Sequence, residues 1–247
     1  PSNSSAASEV YKRQPSAVRM RSAEAMGAVV GRDAANQGVD VLLAPGLNTK
    51  RSSLCGRSFE YYSEDPYLSG KLAAGFIRGA QKQGVSACAK HYAANAQELL
   101  RMHSDSVMDE RTLREMYLTN FEIAIKEGKP GFVMTAYNRV NGVYANESRH
   151  LLGDILRGEW GFDGAVVTDW GGSNSIVEGV REGMNLEMPA AGDDSPCQLV
   201  KAVKDGTIDE KIVDERVDQL LDFVLAEHKS GETSFDAAKQ HQAAEAA

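Results

Sequence analysis

Several features that would settle the class of this chain at once are scarce or missing. Only three cysteines occur in 247 residues. Cys55, Cys88 and Cys197 lie far apart without metal-type spacing, so neither a disulfide framework nor a zinc site is implied, and they read as small buried or loop residues. Nowhere do about 18 apolar residues run together, so no helical membrane span is expected. Basic residues hold no majority: the formal net charge is −8, with both signs interspersed. That balance argues against nucleic acid or an anionic membrane surface as partner and leaves room for a neutral or cationic small ligand. No G-x-G-x-x-G or Walker-type glycine fingerprint follows a strand, which removes the commonest nucleotide-binding reading, and no cofactor is implied. A secretion signal is not visible either, but the stretch Pro1 to Gln14 is polar, rich in small residues and abruptly joined to the periodic sequence after it. Residues 1–19 are therefore read as a disordered or foreign segment, and the compartment stays open, with the cytoplasm as the default.

What is present is alternation. Helical spacing runs from about Met20 to Gln37, and a buried strand comes next over Val39–Ala44, stopped by Pro45 and Gly46. A long loop around Gly56–Asp65 leads to a helix over Pro66–Gln83, and loops of that length usually serve a site. The strand Val85–Ala89 delivers Lys90 and His91. After a helix over Asp109–Lys126, the strand Gly131–Ala136 delivers Tyr137 and Asn138. A helix near Ser148–Arg157 precedes Gly164-Ala165-Val166-Val167-Thr168-Asp169-Trp170-Gly171-Gly172, a β-branched run ending in a carboxylate and an indole. The apolar segment Met184–Met188 ends at Pro189, and helices over Ser195–Lys204 and Asp209–Lys229 complete a single large domain over 20–229. Residues 230–247 form a polar, alanine-rich tail.

Helices between short apolar strands are the pattern of parallel βαβ units, either an open doubly wound sheet or a (β/α) barrel. Without a nucleotide fingerprint the TIM-barrel-like α/β fold is preferred. In a barrel, Lys90, His91, Tyr137, Asp169 and Trp170 gather at one mouth. The plain alternative for Asp169 is a cap on the next helix.

One carboxylate among cations and aromatics suits a sugar. A pyranose face stacks on an indole, here Trp170, with Tyr61 or Tyr62 as further walls, and its hydroxyls take charge-assisted hydrogen bonds from Lys90, His91 and Arg57. A carboxylate such as Asp169 attacks an anomeric carbon to form a glycosyl ester. The sequence does not show which residue supplies the second carboxyl; Glu98 and Glu187 near strand ends are read as orienting groups.

Five ordered segments carry a family resemblance: Gly56-Arg-Ser-Phe-Glu-Tyr-Tyr-Ser-Glu-Asp-Pro66, Lys90-His-Tyr-Ala-Ala-Asn95-Ala-Gln-Glu98, Asp109-Glu-Arg-Thr-Leu-Arg-Glu115, Met134-Thr-Ala-Tyr-Asn138 and Val167-Thr-Asp-Trp170. Together they resemble glycoside hydrolase family 3, in particular its β-glucosidases, from about Glu24 to Val224. The resemblance implies a barrel-like first domain with Asp169 as nucleophile. It also implies that Arg57, Lys90, His91 and Tyr137 hold the glycone or position the nucleophile, and that Trp170 and Met134 line the pocket. The implied reaction is retaining hydrolysis of terminal β-linked glucose. No metal is implied.

The departures carry expectations too. Family members have an earlier strand with a sugar-binding Asp-Gly motif, and nothing before Val39 matches it, so the barrel is expected to be incomplete on its N-terminal side. Many members also carry a second α/β domain holding the acid/base, expected here as a missing partner domain of the same parent chain. Ser58 and Ala96 replace residues that are polar amides or other polar groups in the family. The Tyr92–Asn95 stretch disfavours the N-acetylglucosaminidase branch. A β-xylosidase of the same family, a Schiff-base lyase using Lys90, and a non-catalytic carbohydrate-binding piece are the other readings.

Overall fold

The structure is a computed structural model that describes residues 16–190 and 192–227. In chain order it contains α1 (Ser16–Asn36), β1 (Val41–Leu42), α2 (Pro66–Gln81), β2 (Ser86–Tyr92), β3 (Asp105–Ser106), α3 (110–128), β4 (Phe132–Thr135), β5 (Arg139–Val140), β6 (Val143–Tyr144), α4 (His150–Glu159), β7 (Ala165–Thr168), α5 (Ile176–Glu182), α6 (Asp194–Lys204) and α7 (Glu210–Glu227). Parts of α3, and the whole of α4, are wound as the wider π-helix.

The principal sheet has the order β1-β2-β4-β7, every pair parallel. A parallel bridge from Val167 to Leu186 adds the Met184–Met188 segment at its far edge. Successive strands of this sheet are thus neighbours in space, with no point where the order reverses. Right-handed crossovers of that kind stack the helices on one face, which is the winding of a (β/α) barrel and not of a doubly wound sheet.

Both faces of the strands are buried, so their sequences read as continuous apolar runs. Alternate residues nevertheless go to two different cores. Ala87, Ala89, Val133 and Val166 face the helices and pack with Ile77, Phe121 and Ile155. Cys88, Phe132, Met134, Ala165 and Val167 form the opposite layer, against Leu186, Met188, Leu220 and Phe223. The second set closes the lower end of the sheet, where the Phe132 and Phe223 rings meet edge to face at 4.5 Å.

Local chemistry explains the helix boundaries. Asp65 caps α2 by accepting from the Tyr67 and Leu68 amides, with Pro66 at the first helical position where no N–H is needed. Helices α1 and α2 touch backbone to backbone. A Cβ at Gly79 would sit 1.9 Å from the Glu24 carbonyl oxygen, and one at Gly27 2.1 Å from that of Phe76, so only glycine allows this approach.

Several boundaries differ from the sequence expectation. Helix α1 begins at Ser16, inside the 1–19 segment set apart on sequence; residues 1–15 and the tail over 230–247 lie outside the described residues. Strand β1 is two residues long because the Ala44 amide turns back to the Leu42 carbonyl at 2.7 Å and leaves the ladder, although Gly46 rejoins by a bridge to Lys90. Met184–Met188 pairs at one point only. Helix α5 and the small β3-β5-β6 sheet are additions, too short and too polar to leave a periodic signal. Cys55 and Cys88 are buried, whereas Cys197 is exposed on α6.

Candidate active site

The upper ends of β1, β2, β4 and β7, with the loop before α2, bring the predicted polar residues together. Strand β2 does so through a bulge. Cys88 pairs with Phe132 and Ala89 with Val133, but the next partner of Thr135 is Tyr92, so one extra residue is inserted on β2. Such a bulge re-aims side chains, and here it holds Lys90 and His91. They lie within the strand, not beyond its end as the sequence suggests.

Asp169 comes directly after β7 and is 8% exposed. The Trp170 amide donates to Asp169 Oδ1 at 2.8 Å, while Oδ2 is buried with no hydrogen-bond partner among the described residues. The helix-cap alternative is excluded, because α5 is capped by Ser175, whose hydroxyl accepts from the Glu178 amide. After Asp169 the chain turns at Gly171, φ +75°, a region glycine enters without steric cost. Gly172 leaves the same turn tight: a Cβ there would lie 3.0 Å from the Asp169 carbonyl oxygen and 3.3 Å from the Tyr137 ring.

His91 is the hub. Asn48 grips its backbone from both sides, its Oδ1 accepting from the His91 amide at 2.7 Å and its Nδ2 donating to the carbonyl at 2.8 Å. On the ring, Nε2 lies 3.0 Å from Arg57 Nη2 and 3.5 Å from Asp169 Oδ2, and Nδ1 lies 3.2 Å from the Tyr61 hydroxyl. Arginine only donates, so Nε2 offers a lone pair and the proton sits on Nδ1, an assignment that rests on this network. Burial, then the charges of Arg57, Lys90 and Arg101, hold the His91 pKa well below the usual imidazole value. A neutral ring with its lone pair toward Asp169 makes no hydrogen bond to Oδ2, which leaves that oxygen free.

Around this centre stand further cations and their counter-ions. Arg57 pairs with Glu60, and Lys90 Nζ lies 3.6 Å from the same carboxylate. Arg101 donates to Glu98 at 2.9 Å and lays its guanidinium 4.6 Å from the Tyr137 ring centre. Asn95 bridges Glu98 and the Tyr61 hydroxyl. The Tyr137 hydroxyl donates to the Trp170 carbonyl at 2.8 Å. Burial first and the Asp169 charge second push the phenol up to about 12, so it remains a donor at neutral pH.

Of the predicted site residues, Arg57, Lys90, His91, Tyr137 and Asp169 form one network. Trp170 stands at its rim with 41% of its surface exposed. Met134, expected to line the pocket, is 2% exposed and lies in the apolar layer with Cys88 and Val167. Tyr61 and Tyr62, expected as sugar walls, are respectively buried against His91 and packed on the core, so neither offers a ring face. Glu98 orients Asn95 and Arg101 as expected; Glu187 takes no part in the network. Asn48, Glu60, Asn95 and Arg101 are additions. Their signals were present but weak: Asn48 comes just after a strand end, and Arg101 stands three residues after Glu98. Among the described residues no group of three or more His, Cys, Asp or Glu is placed to hold a metal ion.

With this geometry established, comparison with known proteins is decisive. The family model for the glycosyl hydrolase family 3 N terminal domain matches residues 12–223. The chain belongs to glycosyl hydrolase family 3. It is 48% identical over 223 residues to the thermostable beta-glucosidase B of Acetivibrio thermocellus, covering 90% of this chain and 30% of that protein. It is 43% identical over 199 residues to an exo-alpha-(1->6)-L-arabinopyranosidase of Bifidobacterium longum, covering 81% of this chain and 26% of that one. Among solved structures, beta-glucosidase 3B from Thermotoga neapolitana in complex with glucose superposes with a TM-score of 0.84 at 41% identity, over 91% of this chain and 33% of that one. The chain therefore spans about a third or less of the length of these family 3 relatives, and the part it spans carries the barrel-type fold described above.

Proposed function

We propose that this family 3 domain carries the sugar-binding and nucleophilic part of a retaining β-glucosidase. The observation that carries the reading is Asp169 Oδ2: a buried carboxylate oxygen at the end of a barrel strand, without a hydrogen-bond partner among the described residues, 3.5 Å from the His91 Nε2 that Arg57 also meets. Burying an unpaired carboxylate oxygen costs stability, and at a strand end beside His91 that oxygen is placed to attack a sugar. Attack by Oδ2 on the anomeric carbon forms a carbon–oxygen bond as the bond to the leaving group breaks, giving a glycosyl ester that water then hydrolyses with net retention. Arg57 and Lys90 donate to sugar hydroxyls, neutral His91 stands between them and the nucleophile, and Trp170 offers its exposed face to the ring.

The two carboxylates nearest the network, Glu60 and Glu98, are both paired with cations and are poor proton donors to a leaving group. The acid/base is read as lying outside this barrel, in a second domain of the same parent chain. The Schiff-base reading of Lys90 is disfavoured by its anionic neighbour Glu60, since an activated amine needs cation crowding or desolvation. The relative that is an arabinopyranosidase makes the glycone itself the point to test.

That test compares aryl β-glucoside, β-xyloside and α-L-arabinopyranoside with dinitrophenol as leaving group, which needs no protonation, and identifies the first-formed anomer by NMR. The β-glucoside is expected to turn over fastest with retention. Inversion, or no release of dinitrophenol from any of the three by the folded chain, contradicts the proposal.

A further inference from the structure

Arg57 and Lys90 reach the site from different elements, the loop before α2 and the bulge of β2, and nothing in either element fixes the distance between them. Glu60 does. Arg57 Nε pairs with Glu60 Oε1, and Lys90 Nζ lies 3.6 Å from Glu60 Oε2, so one carboxylate is shared by two cations from different elements. The three side chains are 21%, 19% and 16% exposed, shielded enough for the pairing to act in a medium less polar than water. With Nε engaged, the guanidinium is turned so that Nη2 meets His91 Nε2 at 3.0 Å. The backbone supports the carboxylate from behind: a Cβ at Gly46 would lie 3.1 Å from both Glu60 Oε2 and the Tyr61 ring, so the end of β1 closes the far side. The Glu60 amide also donates to the Arg57 carbonyl at 3.1 Å, which fixes the turn carrying both residues.

We infer that Glu60 is the positioning residue of the sugar site, holding the Arg57 guanidinium and the Lys90 ammonium at the spacing that receives the glycone hydroxyls. This rests on the reading of the site as a sugar site. Both of its oxygens are engaged by cations, so Glu60 acts through Arg57 and Lys90 and not by direct contact with substrate. It also stands between two like charges, Arg57 and Lys90, that would otherwise repel. Its effect should therefore fall on ground-state sugar binding, while capture of the bound sugar by Asp169 is left largely intact.

Inactivation of the 247-residue chain by 2,4-dinitrophenyl 2-deoxy-2-fluoro-β-D-glucoside, monitored by intact mass, separates the two quantities. The wild-type chain is measured first; if it is not labelled, the sugar-site reading itself fails, independently of Glu60. With the wild type labelled, Glu60→Gln is expected to raise the half-saturating concentration about tenfold and to leave the saturated capture rate within about threefold. Glu60→Asp, which keeps the charge on a shorter arm, is expected to recover part of that loss. An unchanged half-saturating concentration in Glu60→Gln overturns the inference. So does a loss confined to melting temperature and labelled fraction, which would make the ion pair merely structural. Should Glu60→Gln fail to fold, Glu60→Asp decides: a half-saturating concentration raised about threefold supports the inference, and one equal to wild type overturns it.

Discussion

The two ends of the parallel sheet are built from the same four strands and obey opposite rules. At the lower end the side chains fasten strand to helix. Phe132 meets Phe223, and the Arg157 guanidinium donates through its two Nη atoms to the carbonyls of Phe162, Gly164 and Gly183 and to Asn185, while its Nε is without a hydrogen-bond partner among the described residues. Asn185 in turn donates to the Arg216 carbonyl on α7. At the upper end, Arg57 and Lys90 share one carboxylate, His91 is buried and uncharged, and Asp169 keeps one oxygen unanswered. The lower end is optimised for holding the sheet together, and the upper end forgoes stability to keep reactive groups apart from one another. Charged groups converging on one buried carboxylate, against a network that only joins strand to helix, are what support the proposal that the upper end is the functional one.

Breaking the comparison at the upper end should cost activity. Asp169→Asn is expected to lower turnover of an activated aryl β-glucoside by about 10⁴-fold or more, with circular dichroism unchanged and melting temperature equal to or above wild type, because a neutral amide is cheaper to bury than an unpaired carboxylate. Lys90→Met keeps the stem and removes the ammonium. It should raise KM by about 10–100-fold, the worth of one or two charge-assisted hydrogen bonds, with a smaller change in kcat measured in the same assay.

Breaking it at the lower end should cost stability alone. Phe223 is half-buried, so Phe223→Ala should lose about 2 kcal/mol, less than the about 3–5 kcal/mol of a fully buried phenylalanine, read by urea unfolding. The sugar half-saturating concentration should not move; a shift there would mean that the two ends are coupled.

The smallest effect concerns pH. The folded-state pKa of His91 is depressed, so the unfolded chain binds a proton that the folded chain refuses. Its contribution to stability is complete above the unfolded value of about 6.5 and falls as pH drops below it, by up to about 1.4 kcal/mol per pH unit. Denaturant titrations on either side of about pH 6.5 should show this slope in the wild type and a flatter one in His91→Gln.

Much of this division was legible in the chain. The strands are visible because buried parallel strands are continuous apolar runs between glycines and prolines, and Asp169 because such a run ends in a carboxylate. The faces are harder. Met134 is placed in the apolar layer by its register with Val167, and register belongs to the paired sheet and not to one strand. The same holds for the bulge at Lys90 and His91, which exists only against β4. Tyr61 was expected as a sugar wall because a pyranose face stacks on aromatic rings; the fold instead turns it inward against His91. Glu60 was legible as a neighbour of Arg57, but its reach to Lys90, on another element, is a product of the tertiary structure. Asn48 gave no signal beyond its place after a strand, since its role is to grip the backbone of a residue on the adjacent one.

The central claim is that Asp169 Oδ2 is the atom that attacks. The most direct measurement is peptide mapping by mass spectrometry after the chain has been inactivated with 2,4-dinitrophenyl 2-deoxy-2-fluoro-β-D-glucoside. A single fluoroglycosyl ester on Asp169, lost in Asp169→Asn and absent from Glu60 and Glu98, is the result predicted. A label on another carboxylate, or on Lys90, would contradict it.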